Sequence, residues 1–252
     1  MTNNHSFIKS IFFDLGQTLV ELSYLKVCMY NALKKNLTSY NINLTELMYK
    51  WGYKTHHLFI EYREKSFIDT IEIHILGLKA VLNYYKIKIS DELIRIIVND
   101  VWYSFIENSR LYPNTIKILN SLKKNGYKLG LITNSEFFIV NGILQKHNLY
   151  EFFDAKVISG VIKLYKPNPQ LFSNAIDLAE CFPFEAIYVG DSEIDIKGAN
   201  NIGMITVIVN RNEVPDPGVG IQPDYRINSL MELPDLISKI DKIQSIKFGS
   251  ML

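Results

Sequence analysis

The feature that most constrains the fold is the alternation of apolar strands with amphipathic helices after Tyr112-Pro113-Asn114. The pattern predicts strands at 127–133, 155–158, 186–190 and 204–209, and a short strand near Tyr225. Helices are predicted at 114–125, 136–147, 169–180 and 193–202, and a final helix is predicted from Ser229. Such alternation is typical of a parallel sheet covered by helices on both faces. We therefore predict an α/β protein with a Rossmann-like parallel sheet.

The first part of the chain interrupts this alternation. Residues 8–14 predict a short buried strand that ends in Asp14. From about Ser23 to Asn108, apolar residues recur at three- and four-residue spacing, and four helices fit with breaks near 41–43, Ser66 and 88–90. The sequence thus predicts an α/β core formed by residues 1–21 and 109–252, and an all-α, four-helix insertion formed by residues 22–108.

Composition narrows the class of protein. The 252 residues carry 27 Lys and Arg against 26 Asp and Glu, and a formal net charge of +1 favours neither nucleic acid nor an acidic membrane as a partner. We expect no signal peptide, and no apolar run is long enough to span a membrane. The two cysteines, Cys28 and Cys181, are too few for a disulfide framework. We therefore expect a cytoplasmic protein. A surface loop is expected at Arg211–Pro223, which carries three prolines and two glycines. The sequence does not define the oligomeric state.

Polar residues follow the predicted strands at the edge where parallel sheets bind ligands. The first strand leads into Asp14-Leu15-Gly16-Gln17-Thr18, the second into Thr133-Asn134-Ser135, and the fourth into Asp191-Ser192-Glu193-Ile194-Asp195. A further segment, Tyr165-Lys166-Pro167-Asn168-Pro169, precedes a helix, with Asn168 as the expected cap. These four segments should meet at one edge of the sheet.

In this order, the four segments resemble those of the haloacid dehalogenase superfamily, whose members are mostly magnesium-dependent phosphatases. The resemblance covers nearly the whole chain. It implies that Asp14 is a nucleophile that forms an aspartyl-phosphate, and that a small phosphorylated metabolite is the substrate. It also implies a Mg²⁺ site formed by Asp14, the backbone carbonyl of Gly16, and Asp191.

Three further residues take roles from the resemblance. Thr133 and Asn134 would hold the phosphate group, although the same residues are also common at the start of an ordinary helix. Lys166 would neutralise charge on the transferring phosphoryl group and on Asp14. Asp195 either contributes to the metal site, directly or through another ligand, or completes a capping box with Ser192.

The sequence departs from the phosphatase pattern at Gly16. The residue two positions after the nucleophile is usually a second aspartate, which protonates the leaving oxygen and activates water. Glycine offers a carbonyl but no proton, and general acid–base help is typically worth about 10² to 10⁴ in rate. Gln17 or a residue of the helical insertion is a candidate for orienting water instead.

Three explanations follow. The first is a phosphatase for substrates with good leaving groups, such as sugar 1-phosphates or aryl and acyl phosphates. The second is a protein that binds magnesium and a phosphorylated ligand with little turnover. The third is a dehalogenase-like enzyme in which Asp14 attacks carbon, although the Gly16-Gln17 pair and the retained Asp191 argue against it.

The resemblance also implies that the helical insertion, residues 22–108, is a cap domain that closes over the site and excludes water. Its polar candidates for contact with the substrate are His56, His57, Arg63 and Lys65, although a solvated helix face explains them better. The many aromatic residues of this region are interpreted as core of the cap, because no basic stripe accompanies them.

Overall fold

The structure is a computed structural model that describes residues 6–210 and 221–249. The strands in this part of the chain are β1 (Ser10–Phe13), β2 (Val20–Glu21), β3 (Arg110–Leu111), β4 (Lys128–Thr133), β5 (Ala155–Ile158), β6 (Ala186–Gly190), β7 (Ile205–Val209) and β8 (Tyr225–Ile227). Six of them form one sheet in the order β5-β4-β1-β6-β7-β8, and every neighbouring pair is parallel. The predicted Rossmann-like sheet is confirmed.

Ten helices accompany these strands within the described residues. They are α1 (Leu25–Leu37), α2 (Leu44–Lys65), α3 (Thr70–Tyr84), α4 (Asp91–Asn108), α5 (Thr115–Lys124), α6 (Phe137–Lys146), α7 (Ser159–Ile162), α8 (Pro169–Ala179), α9 (Glu193–Asn200) and α10 (Leu233–Gly249). The predicted helices of the core agree to within two residues, except the last. Ser229 caps a short 3₁₀ turn at Leu230–Glu232, and α10 begins after that turn.

The predicted surface loop and the predicted helix cap have different outcomes. The surface loop predicted at Arg211–Pro223 lies mostly outside the described residues, at 211–220. The expected cap at Asn168 is confirmed, because Asn168 Oδ1 accepts the Gln170 N–H at 2.9 Å. The predicted break near 88–90 ends at Ser90, whose Oγ accepts the Leu93 N–H at 3.1 Å at the start of α4.

The centre of the sheet requires a glycine beside a large ring. Phe12 of β1 pairs with Gly130 of β4 on one side and with Tyr188 of β6 on the other. A Cβ atom on Gly130 would lie 2.2 Å from Phe12 Cδ1, which is far inside contact distance. The glycine therefore leaves the space that the Phe12 ring fills in the core.

Helices α1 to α4 form the helical cap, which leaves the core after β2 and returns to it at β3. The antiparallel pair of β2 with β3 joins Val20 to Leu111 at the base of the cap. Inside the cap, α2 packs on α3 and α1 on α4, and Trp51 is fully buried, with its indole N–H donating to the His74 carbonyl at 2.9 Å. An exact domain boundary at residues 22 and 108 stays a prediction.

The cap also contacts the core at the linker between α2 and α3. Glu136 Oε1 accepts the Thr70 N–H at 2.7 Å, and Lys163 Nζ lies 2.6 Å from Asp69 Oδ1. The Tyr165 hydroxyl donates to the Ile68 carbonyl. These contacts hold the cap beside the loop that carries Lys166.

Candidate active site

The carboxyl ends of β1, β4 and β6 bring the predicted site residues together. Asp14 follows β1, and its backbone N–H donates to the Val189 carbonyl of β6 at 2.9 Å. Thr133 ends β4, and Asp191 follows β6. Because these three strands are neighbours, residues far apart in sequence border one cavity.

Lys166 lies at the floor of this cavity and is 2 % exposed. Its Nζ is 2.5 Å from Asp14 Oδ1 and 2.6 Å from Asp195 Oδ1. Burial alone would lower the pKa of Lys166, but the two carboxylates hold it well above its usual range. The ammonium therefore stays charged and fixes one oxygen of each aspartate.

Asp195 is engaged by hydrogen bonds on both carboxylate oxygens. Oδ2 accepts the Ser192 N–H at 3.2 Å and the Ser192 hydroxyl at 2.5 Å. Oδ1 accepts the Tyr188 hydroxyl at 2.9 Å in addition to Lys166. The predicted capping box with Ser192 is confirmed, and Asp195 also anchors the lysine.

Tyr188 is a site residue that the sequence analysis missed. It lies on β6 and is fully buried, and its hydroxyl accepts from Lys166 Nζ at 3.2 Å while it lies 3.1 Å from the Ile132 carbonyl. Burial is the main reason why the pKa of Tyr188 lies well above its usual value. The phenol therefore remains a hydrogen-bond donor to Asp195.

The carboxylates Asp14, Asp191 and Asp195 form an acidic cluster, and one oxygen of each lies within 4.8 Å of the others. Burial raises the pKa of Asp14 to about 6, although Lys166 opposes this change. Burial, followed by the charges of Asp14 and Asp195, raises the pKa of Asp191 to about 8. Three carboxylates thus face one ammonium, and a hard divalent cation would relieve the excess negative charge. This donor set fits Mg²⁺.

Asn134 does not cap the helix that follows it. Helix α6 has Glu136 as its N-terminal capping position, and the Asn134 side-chain oxygen instead accepts the Lys166 backbone N–H at 2.8 Å. Asn134 thus ties the lysine loop to the end of β4. Thr133 is buried and borders the cavity, in the position expected for contact with a phosphate group.

The first loop contains the two residues that raised questions in the sequence. Gly16 lies at the cavity, and its backbone is outside the left-handed region. Gln17 has a positive φ of 58°, and its side-chain oxygen accepts the Leu22 N–H and the Tyr112 hydroxyl, both at 3.1 Å. That oxygen supports the base of the cap, so it is poorly placed to orient water.

The cavity has a volume of about 260 Å³ and combines a charged floor with an apolar wall. The cap contributes Trp102 and Phe105 of α4 to this wall, and neither was predicted. His56 and His57 are exposed on α2 and do not border the cavity. Arg63 and Lys65 border a different cavity, at the linker after α2.

Comparison with known proteins agrees with this arrangement. A family model described as haloacid dehalogenase-like hydrolase matches residues 11–209. Glyceraldehyde 3-phosphate phosphatase of Methanocaldococcus jannaschii is 33% identical over 240 residues, which cover 93% of this chain and 99% of that protein. (S)-2-Haloacid dehalogenase 1 of a Pseudomonas species is 31% identical over 129 residues, which cover 51% of this chain and 57% of the relative.

Solved structures share the fold. The putative hydrolase YfnB of Bacillus subtilis, solved bound to magnesium, superposes with a TM-score of 0.76 at 18% identity and covers 91% of this chain and 98% of its own. L-2-Haloacid dehalogenase of Xanthobacter autotrophicus superposes with a TM-score of 0.71 at 17% identity, over 92% and 98% of the two chains.

The chain therefore belongs to the haloacid dehalogenase-like hydrolase family, and the resemblance identified from its four segments is confirmed. It is a hydrolase with an α/β core and a helical cap. Among the described residues, no helix is both long and apolar enough to cross a bilayer.

Proposed function

We propose that this protein is a magnesium-dependent phosphatase that hydrolyses a small phosphorylated metabolite through an aspartyl-phosphate on Asp14. The observation that carries the proposal is the buried Asp14–Lys166 pair at the floor of the cavity, with Asp191 beside it. A relative that spans 93% of this chain is named as a phosphatase of a small phosphorylated metabolite, which supports the substrate class.

In the first step, a carboxylate oxygen of Asp14 bonds to phosphorus as the bond from phosphorus to the ester oxygen breaks. The electron pair of that bond leaves with the ester oxygen. In the second step, water attacks the same phosphorus, its proton passes to solvent, and Asp14 is regenerated as inorganic phosphate departs. Lys166 neutralises charge on Asp14 and on the phosphoryl oxygens, while Thr133 and Asn134 border the space for those oxygens.

The chain provides oxygen ligands for one Mg²⁺ ion. Asp14, Asp191 and the carbonyl of Gly16 would hold it, whereas both oxygens of Asp195 already accept hydrogen bonds from within the chain. When bound, the cation supplies positive charge that screens the anionic phosphate from the carboxylates. Asp195 then serves to position Lys166.

The test is hydrolysis of 4-nitrophenyl phosphate and of a panel of phosphorylated metabolites, with Mg²⁺ and with EDTA. The native chain should require Mg²⁺, and Asp14→Asn should abolish turnover because an amide is a poor nucleophile. Asp177→Asn is the matched control, since Asp177 is exposed on α8, and it should keep native activity. Activity that survives in Asp14→Asn would refute the proposed mechanism.

The two alternatives predict other outcomes. A binding protein would hold Mg²⁺ and a phosphorylated ligand without turnover, and Gly16 is the observation that favours it. A dehalogenase would release halide from a 2-haloacid without Mg²⁺. It would also take up oxygen from ¹⁸O-labelled water into Asp14, because water then attacks the carboxyl carbon of an ester. In the phosphatase mechanism, water attacks phosphorus and the label enters phosphate.

A further inference from the structure

Away from its charged floor, the cavity above Asp14 is lined mostly by apolar side chains. Its wall contains eight aliphatic or aromatic side chains: Leu22, Trp102 and Phe105 from the cap side, and Leu15, Val20, Ile139, Ile143 and Ile194 from the core. Apart from Asp14, Asp191, Asp195 and Lys166, none of its lining residues is charged. The part of the substrate beyond the phosphate therefore meets no charged partner.

The wall includes a rigid aromatic corner. The Trp102 and Phe105 rings are perpendicular, with centroids 6.0 Å apart. The Trp102 Nε1 atom is itself buried, so the part of the indole that borders the cavity is ring carbon. Such edges and faces suit the packing of another ring. A polar chain of hydroxyl groups would lose its hydrogen bonds to water there.

The position of the missing acid is also apolar. A Cβ atom on Gly16 would lie 3.3 Å from Leu22 Cδ1, so a leucine methyl group borders the space where an acid would stand. The polar part of Gln17 beside it holds Leu22 and Tyr112. The residue at position 16 therefore supplies no proton to the departing ester oxygen of the substrate.

Taking these observations together, we propose that the substrate is an aryl phosphate, a phosphate monoester of a compact uncharged phenol. The inference rests on the proposed phosphatase function and defines its substrate class. The phosphorus–oxygen bond breaks toward the phenol oxygen, which departs as a phenolate and takes its proton from solvent. Phenols have a pKa of about 10, against about 16 for water, so a phenolate leaves far more readily than an alkoxide. A cavity of about 260 Å³ lies near the small end of ligand pockets and suits one ring with a phosphate.

The test uses three probes that separate the leaving group from the apolar body. Phenyl phosphate and cyclohexyl phosphate match in size, but only the first releases a phenolate. Glycerol 1-phosphate shares the alkyl oxygen of cyclohexyl phosphate but is polar. With Mg²⁺, we expect kcat/KM for phenyl phosphate to exceed that for cyclohexyl phosphate by at least about 10². We also expect cyclohexyl phosphate to have a lower KM than glycerol 1-phosphate.

Variants of Gly16 test the leaving-group argument. Gly16→Asp restores a proton donor and should narrow the ratio of phenyl to cyclohexyl phosphate by about 10-fold or more. Gly16→Asn has the same shape without the proton and should keep the native ratio. Both require only a small shift of the flexible Leu22 side chain.

Variants of α4 test the apolar wall. Trp102→Gln should raise KM for phenyl phosphate by about 10-fold, whereas Trp102→Phe, which retains an aromatic surface, should recover most of the native value. Tyr103→Gln, one residue further along and 61% exposed, is the control and should leave KM unchanged.

The outcomes distinguish an error in the substrate class from an error in the proposed phosphatase function. Equal rates for phenyl and cyclohexyl phosphate, or a preference for glycerol 1-phosphate over both, would overturn the aryl class while leaving the phosphatase proposal intact. No Mg²⁺-dependent hydrolysis of these probes, of 4-nitrophenyl phosphate or of the metabolite panel would overturn both.

Discussion

The buried His74 should make the helical cap sensitive to acid. His74 lies on α3 among aromatic rings, with the Trp102 ring centroid 5.1 Å away and the Trp51 centroid 5.9 Å away. Its Nδ1 has no hydrogen-bond partner among the described residues. Burial lowers the pKa of His74 from 6.5 to about 4, so the folded cap holds a neutral imidazole.

The size of the effect follows from this shift. Between pH 6.5 and pH 4 the unfolded chain binds a proton at His74 that the folded chain excludes, so acid favours unfolding. The contribution is nearly absent at pH 7. It lowers the free energy of unfolding by about 2 kcal/mol at pH 5 and by about 3 kcal/mol near pH 4.

Urea unfolding, monitored by tryptophan fluorescence, reports the unfolding of the cap itself. The chain has two tryptophans, Trp51 and Trp102, and both lie in the cap beside His74. Native protein and His74→Leu are compared at pH 7, 6 and 5, with His56→Leu as the control for loss of an exposed imidazole on α2. His74→Leu should lose about 2 kcal/mol less than the native chain between pH 7 and pH 5. Parallel curves for the two proteins would refute the reasoning.

Three further predictions test other parts of the structure. Gly130→Ala places a Cβ atom 2.2 Å from Phe12 Cδ1. It should lower the free energy of unfolding, measured with urea, by at least about 2 kcal/mol. An unchanged urea midpoint would contradict the close approach of these two residues. Tyr188→Phe removes a buried hydrogen bond to Asp195. It should lower the free energy of unfolding by about 1 to 3 kcal/mol and reduce kcat. Native stability and native kcat would show that the phenol does not support the site. Glu136→Ala removes the acceptor for the Thr70 N–H and should accelerate hydrogen exchange of that amide, whereas unchanged protection would mean that this contact does not hold the cap.

The sequence predicts the core well because two strong rules apply to it. The strand at 186–190 is a continuous apolar run bounded by polar residues, and its observed limits are the same as the predicted ones. Parallel strands then place their carboxyl ends at one edge, so Asp14, Thr133 and Asp191 could be grouped before any coordinates were known. The six-stranded sheet confirms that grouping.

The short elements were not predicted, because they are too short to show a repeating pattern of apolar residues. Strands β2 and β3 have two residues each, and α7 has four, so none is long enough to show alternation or a helical repeat. Their pairing depends on the cap returning to the point where it leaves the core. That return is a tertiary constraint, which local sequence does not express.

Site residues on regular elements were missed for a different reason. Tyr188 lies within an apolar strand, and its sequence pattern is that of a core residue, although its hydroxyl contacts Lys166 and Asp195. Trp102 and Phe105 belong to the apolar pattern of α4, whose orientation toward the cavity depends on how the cap packs on α6. A tyrosine three residues before Asp191, within an otherwise apolar strand, was a usable signal, whereas the cap wall had none.

An aspartyl-phosphate on Asp14 can be detected directly by chemical trapping. The native protein is mixed with phenyl phosphate and Mg²⁺, quenched in acid within the first turnover, reduced with borohydride and mapped by peptide mass spectrometry. We expect conversion of Asp14 to homoserine, which is the reduction product of an aspartyl-phosphate, and no conversion of Asp191 or Asp195. Hydrolysis of the substrate without any modification of Asp14 would contradict the proposed mechanism.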